Sequence, residues 1–433
     1  MDSEFLVPSP DDFDVQRADR SLGLRRAARF YNELVAPGIG GASRVRHLSW
    51  AVAGLYLHGQ VDGKFSAVTL AHAVEALGSK VQWAMLPPEQ QSQPNGLRGR
   101  RAFARHPNAW TFRELCQRRY YVQVTHRQQM TRALPPDTGL GMAWGSSRFN
   151  GMALTDIGRH LAEALLTQRG VGQGSPALLK NLKAWMQGTL VLEPKRERLA
   201  ALLGPRSPTE EERVIVRGRL HSDSSWAVGN DSQRRSRLIR FLQSKGIDRL
   251  AQQHDTDSLL PRLAEFPGGA AHAHDIRTAL AFEDLRLASV GVLDAVVARL
   301  QQAGTKLAVA RCAAEPSVRA AILAHRSAVA KYQEAVDAGK NGHADVRRFA
   351  EETKHSDVET LTALVRRDGR VLEVCDDAIW RGPVFPVDEP QPAGRATAPP
   401  TEPATDDAEE ERDLRGRPVR LYQFIELWRD CRG

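Results

Sequence analysis

Two short stretches carry residue types able to hold a divalent metal or move a proton. His254-Asp255-x-Asp257 lies in an expected loop, and His272-x-His274-Asp275 opens an expected helix. Residues two apart on a helix do not face one another, so His272 and His274 diverge. Asp255 and Asp275 suit turn and cap roles better than ligation, and no metal, cofactor or catalytic residue is assigned. The chain contains no GxxxxGKS/T, HExxH, GxSxG, HxK pair or strand-borne GxGxxG. Cys116, Cys312, Cys375 and Cys431 show no CxxC spacing, which fits free thiols in a reducing compartment.

Arginine is the other residue type that could do chemistry, by contacting phosphate. Arg98, Arg100, Arg101 and Arg105 precede a stretch at 110–134 that reads as one or two helices. That stretch holds Arg118, Arg119, Arg127 and Arg132, with Tyr120 and Tyr121 interleaved. Gly139–Ala162 follows and reads as strand, turn, strand and helix. Gly145 and Gly151 suit a tight hairpin, Arg148 and Asn150 sit near its tip, and Thr155 caps the closing helix. This order resembles the end of a winged helix, a fold used for nucleic-acid docking and also for dimerisation or scaffolding. Arg118, Arg119, Arg127, Arg132, Arg148 and Asn150 are therefore the candidate nucleic-acid contacts. The arginines at 234–240 read more readily as a solvated helix face.

The elements around these residues are expected to be mainly α. Ala, Leu and Arg, all good helix formers, are abundant, and only 6% of residues are aromatic. The net charge of +8 makes a polyanionic partner plausible. The pattern predicts an N-terminal helical domain (1–95), a winged-helix-like domain (96–172), a basic helical region (173–266) and a helical hairpin or bundle (267–385). The Pro-rich and acidic stretch 386–413 cannot bury enough apolar surface to fold and reads as a disordered linker. Beyond it, 414–433 is apolar again. Leu421, Tyr422, Phe424, Ile425 and Trp428 make a tethered docking helix, for a partner or for the chain's own body. No repeat of 20–50 residues, signal peptide or apolar run of membrane-spanning length is visible, so a cytoplasmic location without membrane contact is expected.

Leu22–Arg25, Pro37-Gly38 with Arg44–Trp50, and Gly139–Gly158 resemble, in order, the motifs of an uncharacterised bacterial family. The similarity covers roughly the first 170 residues. It implies an accessory subunit encoded beside helicases or phospholipase-D-like nucleases in antiphage defence islands. The combined expectation is a non-catalytic DNA-binding or adaptor subunit of a multi-protein complex. Two alternatives stand beside it. One is a scaffold subunit whose winged helix and tail recruit partner proteins. The other is a nuclease with an unrecognised site near His254 or His272.

Overall fold

A computed structural model describes residues 22–61, 64–91, 97–145, 148–168, 177–193, 196–221, 233–244, 256–383, 385 and 419–432. The chain is mainly helical. The helices of eight or more residues run in chain order. They are α1 (Arg25–Val35), α2 (Val45–His58), α3 (Ala67–Ala84), α4 (Asp156–Leu166), α5 (Leu178–Met186), α6 (Arg196–Leu203), α7 (Glu210–His221), α8 (Arg234–Gln243), α9 (Thr256–Glu265), α10 (Gly269–Ala303), α11 (Pro316–Gly339), α12 (Ala344–Glu352), α13 (Asp357–Asp368) and α14 (Val419–Asp430).

The chain forms two compact units. One joins 31–279 to 399–433, and the other joins 1–30 to 280–398. The boundaries expected near 95, 172 and 266 therefore do not separate bodies: those segments share one core. The reason lies in α2 and α3. Both are apolar almost all round, and a helix buried on every face needs neighbours on every side. They pack on each other, and α4, α6, α7 and the short turns of 100–130 close around them. Ser66 caps α3 by accepting from the Thr69 N–H. At α2 the N-cap residue, Arg44, makes no side-chain cap. The Val45 N–H donates instead to the Asp430 carboxylate, 2.7 Å away.

In this unit the hairpin β1 (Ala143–Trp144) and β2 (Ala153–Leu154) is antiparallel, with Ala143 opposite Leu154. Thr155 accepts from the Gly158 N–H and donates from Oγ1 to the Gly141 carbonyl. A Cβ at Gly158 would overlap the Met142 carbonyl. The Leu-Thr-x-x-Gly segment is thus a bracket locking α4 against the hairpin. A winged-helix domain is not seen among the described residues. The stretch that should supply a recognition helix is broken into Phe112–Leu115, a 3-10 turn at Arg118–Tyr120, and His126–Met130. Thr111-x-x-Glu114 and Thr125-x-x-Gln128 each close a capping box, so each piece starts afresh and ends within a turn.

The second unit holds the rest of α10, then α11, α12 and α13, over a three-stranded antiparallel sheet. The sheet orders β3 (Lys306–Ala308), β5 (Ala378–Arg381) and β4 (Leu372–Cys375). Asp376 and Asp377 turn the β4–β5 hairpin, both with positive φ. Residues 344–368 form two helices and not one, because Ser356-x-x-Glu359 closes a capping box that starts α13. Ile322, Tyr332, Phe349, Leu364 and Ile379 build its core. No helix among the described residues is long and apolar enough to cross a membrane.

Candidate nucleic-acid interface

Between Arg98 and Arg132 the chain carries nine arginines and one acid, Glu114. Tertiary structure sorts seven of these arginines into two sets and leaves Arg101 and Arg132 half-buried. Arg98, Arg100 and Arg127 are buried, whereas Arg105, Arg113, Arg118 and Arg119 are exposed. The short helix Arg100–Arg105 and the Phe112–Leu115 turn both touch the Arg118–Tyr120 turn, so the exposed set is gathered. His106 meets Tyr120 edge-on with ring centroids 4.8 Å apart, and the Arg119 guanidinium lies over Tyr120. Glu114 is held by its own cap: the Thr111 N–H and hydroxyl both donate to its carboxylate.

Two of the buried set, Arg98 and Arg127, lie beside Glu75, a carboxylate of α3 with 1% exposure. Glu75 accepts from the His126 N–H at 2.7 Å, the Arg127 N–H at 3.1 Å and the Tyr121 hydroxyl at 3.0 Å. Burial raises its pKa, against the pull of these donors and of Arg98. Arg98 also donates to the Val124 carbonyl. Glu75 thus caps the His126–Met130 turn from another element. Its only trace in the sequence is a lone acid on an otherwise apolar face, which the sequence reading passed over.

Arg127 is accordingly a core residue and not a phosphate contact. Its guanidinium lies over Phe149, 4.9 Å from the ring centre, and burial lowers its pKa. Arg132 is half-buried and acts electrostatically on Glu33 and Arg420, so it belongs to a packed seam with the tail helix. Asn150 uses its amide oxygen to accept the Val68 N–H at the start of α3, a capping task. Arg118, Arg119 and Arg148 are exposed as a contact role requires. The charge of Arg118 adds to burial in depressing both His72 and Arg127. Arg118 therefore stands close to the Arg127–Phe149 stack next to Arg148. Arg105 and Arg113, omitted from the expected contacts, join this face.

The other expectations resolve into packing. Arg234 pairs with Asp275 and donates to the Leu34 carbonyl, while Arg235 donates to the carbonyls of Leu220 and Pro37. Both are buried, so the 234–240 cluster is not simply a solvated face. Asp275 is no cap, since α10 begins at Gly269. A ring nitrogen of His272 bonds the Val35 carbonyl in the core, which removes it from any exposed active site. His254 and Asp255 lie outside the described residues, as do the side chain of Asp257 and the linker 386–413. Among the described residues no three His, Cys, Asp or Glu side chains are grouped to hold a metal.

The tail helix α14 docks on its own chain. Leu421, Tyr422, Phe424, Ile425 and Trp428 are all buried, so they present no free docking face. Arg217 donates to the Cys431 carbonyl at 2.7 Å, and Trp428 meets His221 edge-on. Arg44 lies 3.9 Å from Glu426 and 3.8 Å from Asp430. The reason is a matched end: Asp430 supplies the anion that the positive N-terminus of α2 lacks. Comparison with protein families, curated proteins and solved structures finds none that matches the chain.

Proposed function

We propose that this chain is a non-catalytic DNA-binding subunit of a bacterial multi-protein complex. The observation that carries the reading is the exposed set Arg105, Arg113, Arg118 and Arg119 on touching turns, with Glu114, the one acid between Arg98 and Arg132 in the sequence, tied up in its own cap. Arginines so placed meet phosphates without first breaking strong ion pairs. The resemblance of the first 170 residues adds the setting: an antiphage-defence complex in the cytoplasm, with a helicase or nuclease as neighbour. The scaffold alternative loses support because the tail helix is spent on the chain's own core. The nuclease alternative loses His272 in the same way.

Fluorescence anisotropy on a labelled duplex tests the proposal. Four or five phosphate contacts give a slope of log affinity against log salt of about −4. Arg118→Ala with Arg119→Ala should flatten that slope by about 2. Absence of binding at low salt, or a slope unmoved by the double substitution, refutes the reading.

A further inference from the structure

The same unit holds a small cleft that none of Arg105, Arg113, Arg118 and Arg119 lines. Its volume is ≈ 60 Å³, room for about four waters. Arg44, His47, Ser79, Gln82, His126 and Arg206 supply its polar lining. No carboxylate lines it among the described residues. The N-terminal turn of α2 carries Arg44 and His47, and Asp430 already takes the Val45 N–H of that turn, so the charge offered to the cleft is that of the guanidinium groups of Arg44 and Arg206.

The two histidines are arranged as neutral donors. Their rings stack with centroids 3.6 Å apart and 19° between planes. Burial and the charges of Arg44 and Arg98 hold both well below the usual histidine range, and His47 adds to the lowering of His126. A neutral imidazole still carries one N–H donor. His47 is 5% exposed, and its Nδ1 has no hydrogen-bond partner. A buried polar atom left unpaired in a native fold calls for an explanation. Arg206 is exposed and pairs with no acid among the described residues. The contacts of Arg44 with Glu426 and Asp430 lie at the outer edge of ion-pair range, so its guanidinium is not locked away.

From this lining and size we infer that the cleft is a binding site for a small tetrahedral oxyanion of the phosphate class, clamped by Arg44 and Arg206 over His47 and His126. The inference does not rest on the proposed DNA contacts, since none of Arg105, Arg113, Arg118 and Arg119 lines the cleft. The volume admits one phosphoryl group, either as free phosphate or as the end of a phosphomonoester whose remainder stays in solvent.

Calorimetric titration of the full chain decides this, with inorganic phosphate and methyl phosphate as probes and chloride matching the ionic strength. Saturable binding is expected, weakened about tenfold or more by Arg206→Ala, because one of two charge-assisted contacts is lost. Arg206 is exposed, so this variant keeps its fold, checked by an unchanged melting temperature without phosphate. Arg44→Gln should weaken binding to a similar extent. Tighter binding of inorganic phosphate marks a free-ion site, and tighter binding of methyl phosphate marks a phosphomonoester site. Each of these rankings supports the assignment. No saturable heat at millimolar phosphate overturns it. So does binding that neither arginine substitution changes. The salt slope on DNA is read in parallel and should not move with Arg206→Ala, so failure of one reading is distinct from failure of the other.

Discussion

Trp428→Ala tests whether the tail helix is a structural element of its own unit. Trp428 is 2% exposed and packs edge-on against His221, with ring centroids 5.6 Å apart. Truncating a buried tryptophan to alanine removes its transfer energy and leaves a cavity, a loss of about 3–5 kcal/mol. For a unit of this size that lowers the melting temperature by roughly 10 °C. Asp430 provides a graded companion. Asp430→Ala removes the acceptor of the Val45 N–H and the partner of Arg44, costing about 1–2 kcal/mol. Asp430→Asn keeps an acceptor at the helix end and should cost less than about 1 kcal/mol. Differential scanning calorimetry measures all three, and limited proteolysis shows whether the tail is released. A Trp428→Ala protein that melts within about 2 °C of wild type, with an unchanged cleavage pattern, refutes the docked tail. The aromatic helix would then be free for a partner.

Acid should destabilise both units. His72 and His325 are each lowered to about 4, mainly by burial. The unfolded chain takes up these protons first, so stability is full above pH 6.5 and falls as pH drops toward 4. Each histidine contributes a loss of about 2.5 kcal/mol at pH 4.5. Glu75 has the opposite sign, because its raised folded pKa favours the protonated form, and it offsets part of the loss. Urea midpoints at pH 7 and 4.5 read the balance, and equal midpoints would contradict the neutral buried imidazoles. Glu75→Leu should cost about 3–5 kcal/mol by stranding two N–H groups and the nearby Arg98 charge, and Glu75→Gln distinctly less. Denaturation curves that rank the two alike argue against the carboxylate as hub. Gly158→Ala should cost more than about 2 kcal/mol, since its methyl meets the Met142 carbonyl. A variant as stable as wild type would show that hairpin and α4 are not packed so closely.

Much of the local architecture was readable in advance. Thr155 caps the helix it was expected to cap, because capping depends on residues three apart. The helices α10 and α11 fall within the stretch 267–385 that reads as helical, since a buried helix face repeats every 3.6 residues. The hairpin and closing helix at 143–166 were legible for the same reason. The domain built around them was not. Thr111 and Thr125 could be seen as cap residues, but whether the chain runs on as helix between them depends on what its termini meet. The His126–Met130 turn starts where it does because Glu75, about fifty residues earlier, receives its first N–H groups.

Charge divides along the same line. Residue types alone mark 98–132 as strongly basic, and charge is a property of composition that needs no fold. Which arginines face solvent is set by contacts far apart in the chain. Arg127 turns inward to Glu75 and Phe149, and Arg118 stays outside beside the same pair. The tail shows this at its greatest span. Its aromatic stripe requires a cover, and the stripe itself is the same whether the cover is a partner or the chain's own core. The choice is made by Asp430 meeting the Val45 N–H across 385 residues of sequence, a match of anion to helix end that exists only once both ends are folded.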